Sequence, residues 1–235
     1  MGREEGSDVH RNRRSGRVRG RRWWSTGAHQ IGQSVLMKTV VSMWGEHDDR
    51  PEPASVNDAL FGEFRTSASV EVACTPLVAW GLVTDIERIG EFSPECINAK
   101  WIDGASGPSE GARFEGTNRA VDEANDTEYI WIRPCTVTAA QAPERFAYTV
   151  GDRYDGTAAS SWDIKIEPTP TGCRITQHFR HLPRGLSGIR HQADDDPAQA
   201  HAIVQERVEE LTNGMLQTLQ RMKRVLESPE ASRMT

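Results

Sequence analysis

The stretch DPAQAHAIVQERVEELTNGMLQTLQRMKRVLES, residues 196–228, decides how this chain reads. Val204, Val208, Leu211, Met215, Leu219, Met222 and Leu226 recur at steps of three and four, which places them in one stripe along a helix. Glu206, Arg207, Glu209, Glu210, Gln217, Gln220, Arg221, Lys223 and Arg224 cover much of the remaining circumference, so that side is expected to face water. Asp196 as N-cap and Pro197 at the first helical position mark the expected start. Roughly 30 residues at 1.5 Å each make a rod of roughly 45 Å. Its apolar stripe demands a broad partner surface.

That surface is expected from the strands upstream. Phe64, Thr66, Ala68, Val70 and Val72 alternate with Arg65, Ser67, Ser69, Glu71 and Ala73, the period of two that marks a half-buried strand. Thr75 and Pro76 then open a helix whose buried stripe is Ala79, Leu82, Val83 and Ile86. Asp85 is expected to cap a second short turn, which Ser93-Pro94 ends. Six further strands follow, at 97–102, 111–120, 128–139, 145–150, 160–167 and 174–181, with Gly- and Pro-containing turns between them. Pro134, inside the third of these, implies an edge position or a bulge, because proline cannot donate to a ladder. Pro183-Arg184-Gly185 is expected to lead through a loop to the long helix.

Composition bounds what else the chain can be. With 235 residues and 37% hydrophobic content it has room for one medium domain plus a polar extension. It has no run of 18 apolar residues, so no transmembrane segment is expected. The net charge of −6 divides unevenly: residues 1–44 hold nine basic and three acidic residues, a balance of +6, leaving −12 for the remainder. An acidic body argues against nucleic-acid binding by the folded part, since phosphate contacts need clustered Lys and Arg. Cys74, Cys96, Cys135 and Cys173 lie 22, 39 and 38 residues apart without a Cys-x-x-Cys pair, so neither zinc nor a disulfide scaffold is expected. Free thiols in a reducing, cytoplasmic setting fit that spacing better.

Residues 1–60 read as a disordered, Arg-rich arm and linker, residues 61–228 as the folded domain, and residues 229–235 as a disordered tail. Arg11, Arg13, Arg14, Arg17, Arg19, Arg21 and Arg22 crowd a stretch without apolar period. Arg21-Arg22 beside Trp23-Trp24 suggests an export signal, but the polar 25–34 stretch lacks the apolar core that one needs. Arginine interleaved with tryptophan suits a tether to nucleic acid or an acidic membrane. A solvated tail, or sequence ahead of a true start at Met37 or Met43, accounts for the same residues. His47-Asp48-Asp49 reads as a polar loop rather than a metal site.

The order strand, two short helices, six strands, long helix resembles the START-like or helix-grip fold of the SRPBCC superfamily, which includes polyketide cyclases, lipid-transfer START domains and plant pollen allergens. Residues 78–95, VAWGLVTDIERIGEFSPE, are similar to the segment these proteins carry after their first strand. Residues 111–119, GARFEGTNR, are similar to strand wording in the bacterial polyketide cyclase/dehydrase group. The resemblance covers about residues 64–228. It implies an α+β fold: a curved seven-stranded antiparallel sheet, two short helices after the first strand, and a long C-terminal helix packed across a ligand cavity. It implies no cofactor, and one fold hosts many functions.

Alternation proposes the lining. Phe114, Gly116 and Asn118 share one strand face, opposite Arg113, Glu115, Thr117 and Arg119. Phe146, Tyr148 and Val150 share another, as do Trp162, Ile164 and Ile166, and Ile175, Gln177 and Phe179. Polar residues on apolar faces are the informative ones, because ligand pockets are mostly apolar with a few placed polar groups. Asn118, Tyr148 and Gln177 meet that test, and each equally suits pairing with a backbone group or a buried water. Gly116, Trp162 and Phe179, with Met215 and Leu219 from the helix, complete the expected ligand-binding set, although such residues are ordinary core material too.

Catalytic residues are not assigned by the sequence. Glu115, Arg119, Tyr148 and His178 are the proton-transfer candidates; with Phe114 and Phe179 inward, Glu115, Arg119 and His178 point outward. His178 and His181, three apart on a strand, face opposite sides and make no metal pair. No Gly-x-Ser-x-Gly, phosphate loop, dinucleotide fingerprint or His-Glu-x-x-His occurs, so covalent catalysis has no visible nucleophile. Three readings stand: a carrier or sensor for a small hydrophobic ligand such as a lipid or polyketide, a cofactor-independent polyketide cyclase or dehydratase, or a docking body for the arm. A titratable group with a perturbed pKa inside the cavity is what an enzyme needs and a carrier does not. The ligand and the oligomeric state are not legible.

Overall fold

The computed structural model describes residues 57–122, 126–152 and 156–228. The arginine cluster, the His47-Asp48-Asp49 loop, and the tail from residue 229 lie outside the described residues. The elements run α1 (Asp58–Glu63), β1 (Arg65–Val72), α2 (Pro76–Thr84), a 3-10 turn (Ile86–Arg88), α3 (Ile89–Phe92) and β2 (Cys96–Ile102). There follow β3 (Arg113–Asp122), β4 (Thr127–Gln141), β5 (Arg145–Gly151), β6 (Ala158–Thr169), β7 (Gly172–His181), α4 (Gly188–Asp195) and α5 (Ala200–Leu226). The strands form one curved antiparallel sheet in the order β1-β7-β6-β5-β4-β3-β2, so β1 and β2, adjacent in sequence, stand at opposite edges. The fold is the α+β helix grip.

The crossing from one edge to the other is made by α2, the 3-10 turn and α3. Thr75 Oγ1 accepts a hydrogen bond from the Val78 amide at 3.4 Å and Pro76 follows at the first helical position. The cap expected from Asp85 does not form: its side chain makes no capping bond to the 3-10 turn. At Gly90 the segment runs so close over β2 that a Cβ would stand 2.1 Å from the Ile97 carbonyl oxygen, so only glycine fits there.

Pro134 sits where β4 changes company. It pairs with Glu115 of β3, while the β5 ladder begins only at Cys135 opposite Val150. On that side β4 is locally an edge, which is where a missing N–H is tolerated. The bulge of β4 lies further along, between Val137 and Ala139. Past the Asn118–Trp131 pair, where β2 ends, β3 and β4 continue as a two-stranded arm.

The stripe on α5 behaves as its spacing predicts. Val204, Leu211, Met215, Leu219, Met222 and Leu226 are buried, with Ala200 and Thr218 beside them. The start of the helix is different. Asp196 closes α4 instead, and Asp196 and Pro197 form a turn in which their carbonyls accept from Gln199 and Ala200. Gln199 is the N-cap and offers no side-chain bond. The expected loop before α5 contains α4, and α1 begins ahead of residue 61; both are too short for a periodic stripe to show. Arg190 joins them. Only 5% exposed, it donates to Asp58 at 2.7 Å, Asp194 at 2.9 Å and the Pro183 carbonyl at 2.7 Å, and its guanidinium lies 5.0 Å from the Phe61 ring centre.

The core divides into two clusters. One joins α2, α3 and the sheet to the C-terminal half of α5, through Phe92, Phe114, Val137, Phe146, Ile166, Leu219 and Met222. The other joins α1, α4 and the first half of α5 to β7, through Phe61, Phe64, Phe179, Val204, Leu211 and Met215. The close contacts of α5 are with edge strand β1 and with α2, α3 and α4. Lys223 donates to the Glu71 carbonyl at 2.6 Å, the Ala73 amide donates to Glu227 at 2.9 Å, and Thr66 hydrogen-bonds Thr212, so the helix is fastened along β1.

Candidate functional site

Fastened to one edge, α5 stands away from the middle strands and leaves a cavity of about 810 Å³. That volume lies within the roughly 300–1,000 Å³ of small-molecule pockets. Both core clusters contribute to its wall. All eight residues expected to contact a ligand, Gly116, Asn118, Tyr148, Trp162, Gln177, Phe179, Met215 and Leu219, line it. The reason is period two: β3, β5, β6 and β7 turn alternate residues to the concave face, and cross-strand partners such as Tyr148–Trp162 and Trp162–Phe179 share it.

Tyr148 packs between Phe114 and Phe146, with ring centres 5.1 and 5.6 Å away. Its hydroxyl has no hydrogen-bond partner among the described residues. Burial, helped by the Cys135 and Cys96 thiols nearby, pushes its pKa well above the ordinary value, so it is a neutral donor at physiological pH. Gln177 lies between Ala68 and Ile164 in register, and its side-chain oxygen is closed off from solvent without a partner among the described residues. Asn118 makes one long bond, 3.5 Å to the Gly116 carbonyl. A Cβ on Gly116 would meet only the Cys96 sulfur, at 3.5 Å, so glycine here widens the cavity rather than relieving a clash.

The cysteines are free. Two of them face the cavity, and burial pushes the Cys96 thiol up to about 11 and the Cys135 thiol up to about 12. Both are therefore neutral thiols rather than nucleophilic thiolates. Among the described residues no three His, Cys, Asp or Glu side chains gather closely enough to hold a metal ion.

The outward-pointing candidates are surface groups. Glu115 pairs with Lys100 at 3.4 Å; Arg119, expected to point outward, instead takes part in the cavity lining at its rim, where it pairs with Glu128 at 3.6 Å. His178 is not part of the lining.

Several polar lining residues escaped the sequence reading. Arg207 and Glu210, expected on the wet side of α5, are part of the wall. Arg207 donates to both oxygens of Glu95, at 2.9 and 2.8 Å, and to Glu210 at 3.1 Å. Burial raises the Glu210 pKa, against the opposing pull of Arg207. The available signal was their position four residues ahead of Leu211 and Gly214, both of which line the cavity. His181 and Ser187 also face it. The rim is apolar where the β3–β4 arm meets the approach to α4: Val121 is 54% exposed, Ile130 59% and Leu186 46%.

With that geometry in view, comparison with known proteins places the chain. Residues 63–227 match the model of the family described as polyketide cyclase/dehydrase and lipid transport. The chain belongs to that family, within the START-like SRPBCC superfamily. Among solved structures it is similar to the Polyketide_cyc-like protein Cgl2372 of Corynebacterium glutamicum, at 27% identity and a TM-score of 0.50, over 70% of this chain and 91% of that one. It is also similar to the protein Ms6760 of Mycobacterium smegmatis, at 15% identity and a TM-score of 0.47, over 71% and 92%. A further similar structure is MLL2253 of Mesorhizobium loti, at 15% identity and a TM-score of 0.47, over 69% and 96%. A search of curated proteins finds no match.

Proposed function

We propose that this protein holds a small hydrophobic ligand, a lipid or a polyketide-like molecule, between the sheet and α5, acting as a carrier or sensor. One observation carries the reading: a cavity of about 810 Å³ with a mostly apolar wall, in which the Tyr148 hydroxyl and the Gln177 amide oxygen have no hydrogen-bond partner among the described residues. A polar group left unpaired in an apolar wall costs free energy. A guest with an apolar body and a carbonyl or hydroxyl recovers that cost at Tyr148, Asn118 or the Gln177 amide. Gly116, Trp162, Phe179, Met215 and Leu219 supply the apolar contacts, and methionine adapts to varied shapes.

A second reading, cofactor-independent cyclisation or dehydration of a polyketide-like chain, is supported by Glu210 and Tyr148. Both are cavity-lining acids whose pKa burial raises, the property an enzyme needs in a proton donor.

Native mass spectrometry of freshly purified protein, followed by solvent extraction, tests the binding reading. A mass excess that denaturation removes is expected, and its loss in Gly116→Leu, which grows into the cavity, assigns it there. Protein that is empty and stays empty when offered fatty acids and aromatic polyketones overturns the reading. Release of water from a linear polyketone, suppressed in Glu210→Gln, favours the enzyme.

A further inference from the structure

The inner wall where β7 passes into α4 holds a serine and a histidine in direct contact. His181 Nδ1 lies 2.7 Å from the Leu182 carbonyl oxygen, and Nε2 lies 2.8 Å from Ser187 Oγ. A carbonyl can only accept, so Nδ1 carries the proton and Nε2 presents a lone pair. The Ser187 hydroxyl therefore donates to Nε2. One Oγ lone pair accepts from the Arg190 amide at 3.1 Å, which leaves the other for attack. A nucleophile bonded to a base, with the base oriented by a third group, is the arrangement that activates a hydroxyl.

We propose that Ser187 and His181 form a nucleophile and general-base pair that cleaves hydrophobic esters or thioesters admitted to the cavity. The inference rests on the cavity being open to apolar guests, and adds to it a covalent step.

The surroundings favour one orientation. The His181 ring is 2% exposed and held between Phe61, with ring centres 4.6 Å apart, and Phe64, stacked at 5.6 Å. Ser187 is only partly buried and stands on the cavity side of it. Gly185 makes this possible: a Cβ there would be 2.2 Å from the Ala159 carbonyl oxygen, so glycine lets the loop lie against β6 and return Ser187 to the end of β7. Burial, with Arg190 adding its positive charge, lowers the His181 pKa to about 4, so the ring is in its basic form at neutral pH. Immediately after Ser187, Gly188 and Ile189 open α4, where the first amides of a helix lack partners within it and suit a developing oxyanion.

The chemistry balances with water as the only co-reactant. Ser187 Oγ bonds to the carbonyl carbon as its proton passes to Nε2. The carbon–oxygen or carbon–sulfur bond to the leaving group then breaks, and that group takes the proton from Nε2. Water attacks the acyl-serine with His181 again as base, releasing a carboxylic acid and restoring the serine. The sequence patterns for serine hydrolases do not include this pair, because the two residues meet through a loop rather than a nucleophile turn.

Ser187 also caps α4, so the test must keep the cap. Asparagine caps helices as well as serine does but has no hydroxyl. Full-length protein and Ser187→Asn are treated with a fluorophosphonate probe, followed by peptide mapping, and assayed with p-nitrophenyl octanoate. Uptake of anilinonaphthalene sulfonate, which cannot be cleaved, is measured in parallel. Labelling of Ser187 is expected, with hydrolysis lower by about 100-fold or more in Ser187→Asn, as for loss of a positioned nucleophile and base, while dye uptake is equal. Dye uptake without labelling, or hydrolysis surviving in Ser187→Asn, overturns the pair and leaves the binding reading standing. Labelling without dye uptake supports the pair against that reading, and neither signal overturns both.

Discussion

Replacing Gln177 with leucine should move stability and ligand retention in opposite directions. Gln177 projects from β7 between Ala68 and Ile164, and its side-chain oxygen is shut away with no partner among the described residues. An unpaired buried acceptor costs about 1–3 kcal/mol. Leucine has nearly the same reach and no polar atom, so Gln177→Leu should regain most of that cost. For a domain of this size each kcal/mol shifts the melting temperature by about 2–4 °C, so a rise of about 2–12 °C is expected in ligand-free protein. A guest whose carbonyl or hydroxyl meets the amide loses one neutral hydrogen bond, about 0.5–1.5 kcal/mol, or roughly a 2- to 12-fold weaker Kd. Differential scanning fluorimetry on stripped protein reads the first effect and fluorescence titration with a co-purified ligand reads the second. A lower melting temperature in Gln177→Leu would refute the reasoning, because it would mean the amide is satisfied in solution. Unchanged affinity would separate Gln177 from the bound guest.

Two further predictions concern the junction of β7 and α4. His181 titrates at about 4 in the fold against an ordinary 6.5, so between those values the unfolded chain binds the proton more readily. Its contribution is fully present above about pH 6.5 and is lost as pH falls through about 4, about 3 kcal/mol in all by the usual conversion. Urea midpoints measured from pH 7 to 4 should fall accordingly, and a midpoint that holds constant would contradict this; His181→Gln should remove that part of the slope. Arg190→Met takes away the guanidinium 2.7 Å from Asp58, where Arg184 at 3.7 Å is a looser partner, and leaves the Pro183 carbonyl without its guanidinium donor. The expected loss is about 3 kcal/mol, the low end for breaking a buried pair because Asp194 is 43% exposed. Early proteolytic cutting between residues 183 and 199 would accompany it, and wild-type stability in this variant would show that α1 and α4 do not depend on the ion cluster.

Much of the architecture was written in local patterns. Strand alternation put Phe114, Gly116 and Asn118, and then Tyr148, Trp162, Gln177 and Phe179, on faces that converge, because a strand's side chains must alternate whatever it packs against. The spacing of Val204 to Leu226 likewise required a long helix with a buried stripe. Legibility failed where the signal was short or where partners were distant. Helices α1 and α4 have too few residues for a stripe to repeat, and the Asp196-Pro197 signature of a helix start was overridden by the turn that ends α4.

The sequence by itself determined the kinds of element, their order and which side of each is apolar, since these follow from periods of 2 and 3.6 and from the capping preferences of single residues. Only the tertiary structure decided that Arg207 reaches Glu95 and Glu210 in the cavity wall, that the Gln177 side-chain oxygen has no partner among the described residues, and that His181 and Ser187 meet. The Arg207–Glu95 and His181–Ser187 contacts, and the lack of one at Gln177, depend on how α4 and α5 are seated on the sheet. Burial, which sets their pKa values and the cost of leaving them unpaired, exists only once that seating is made.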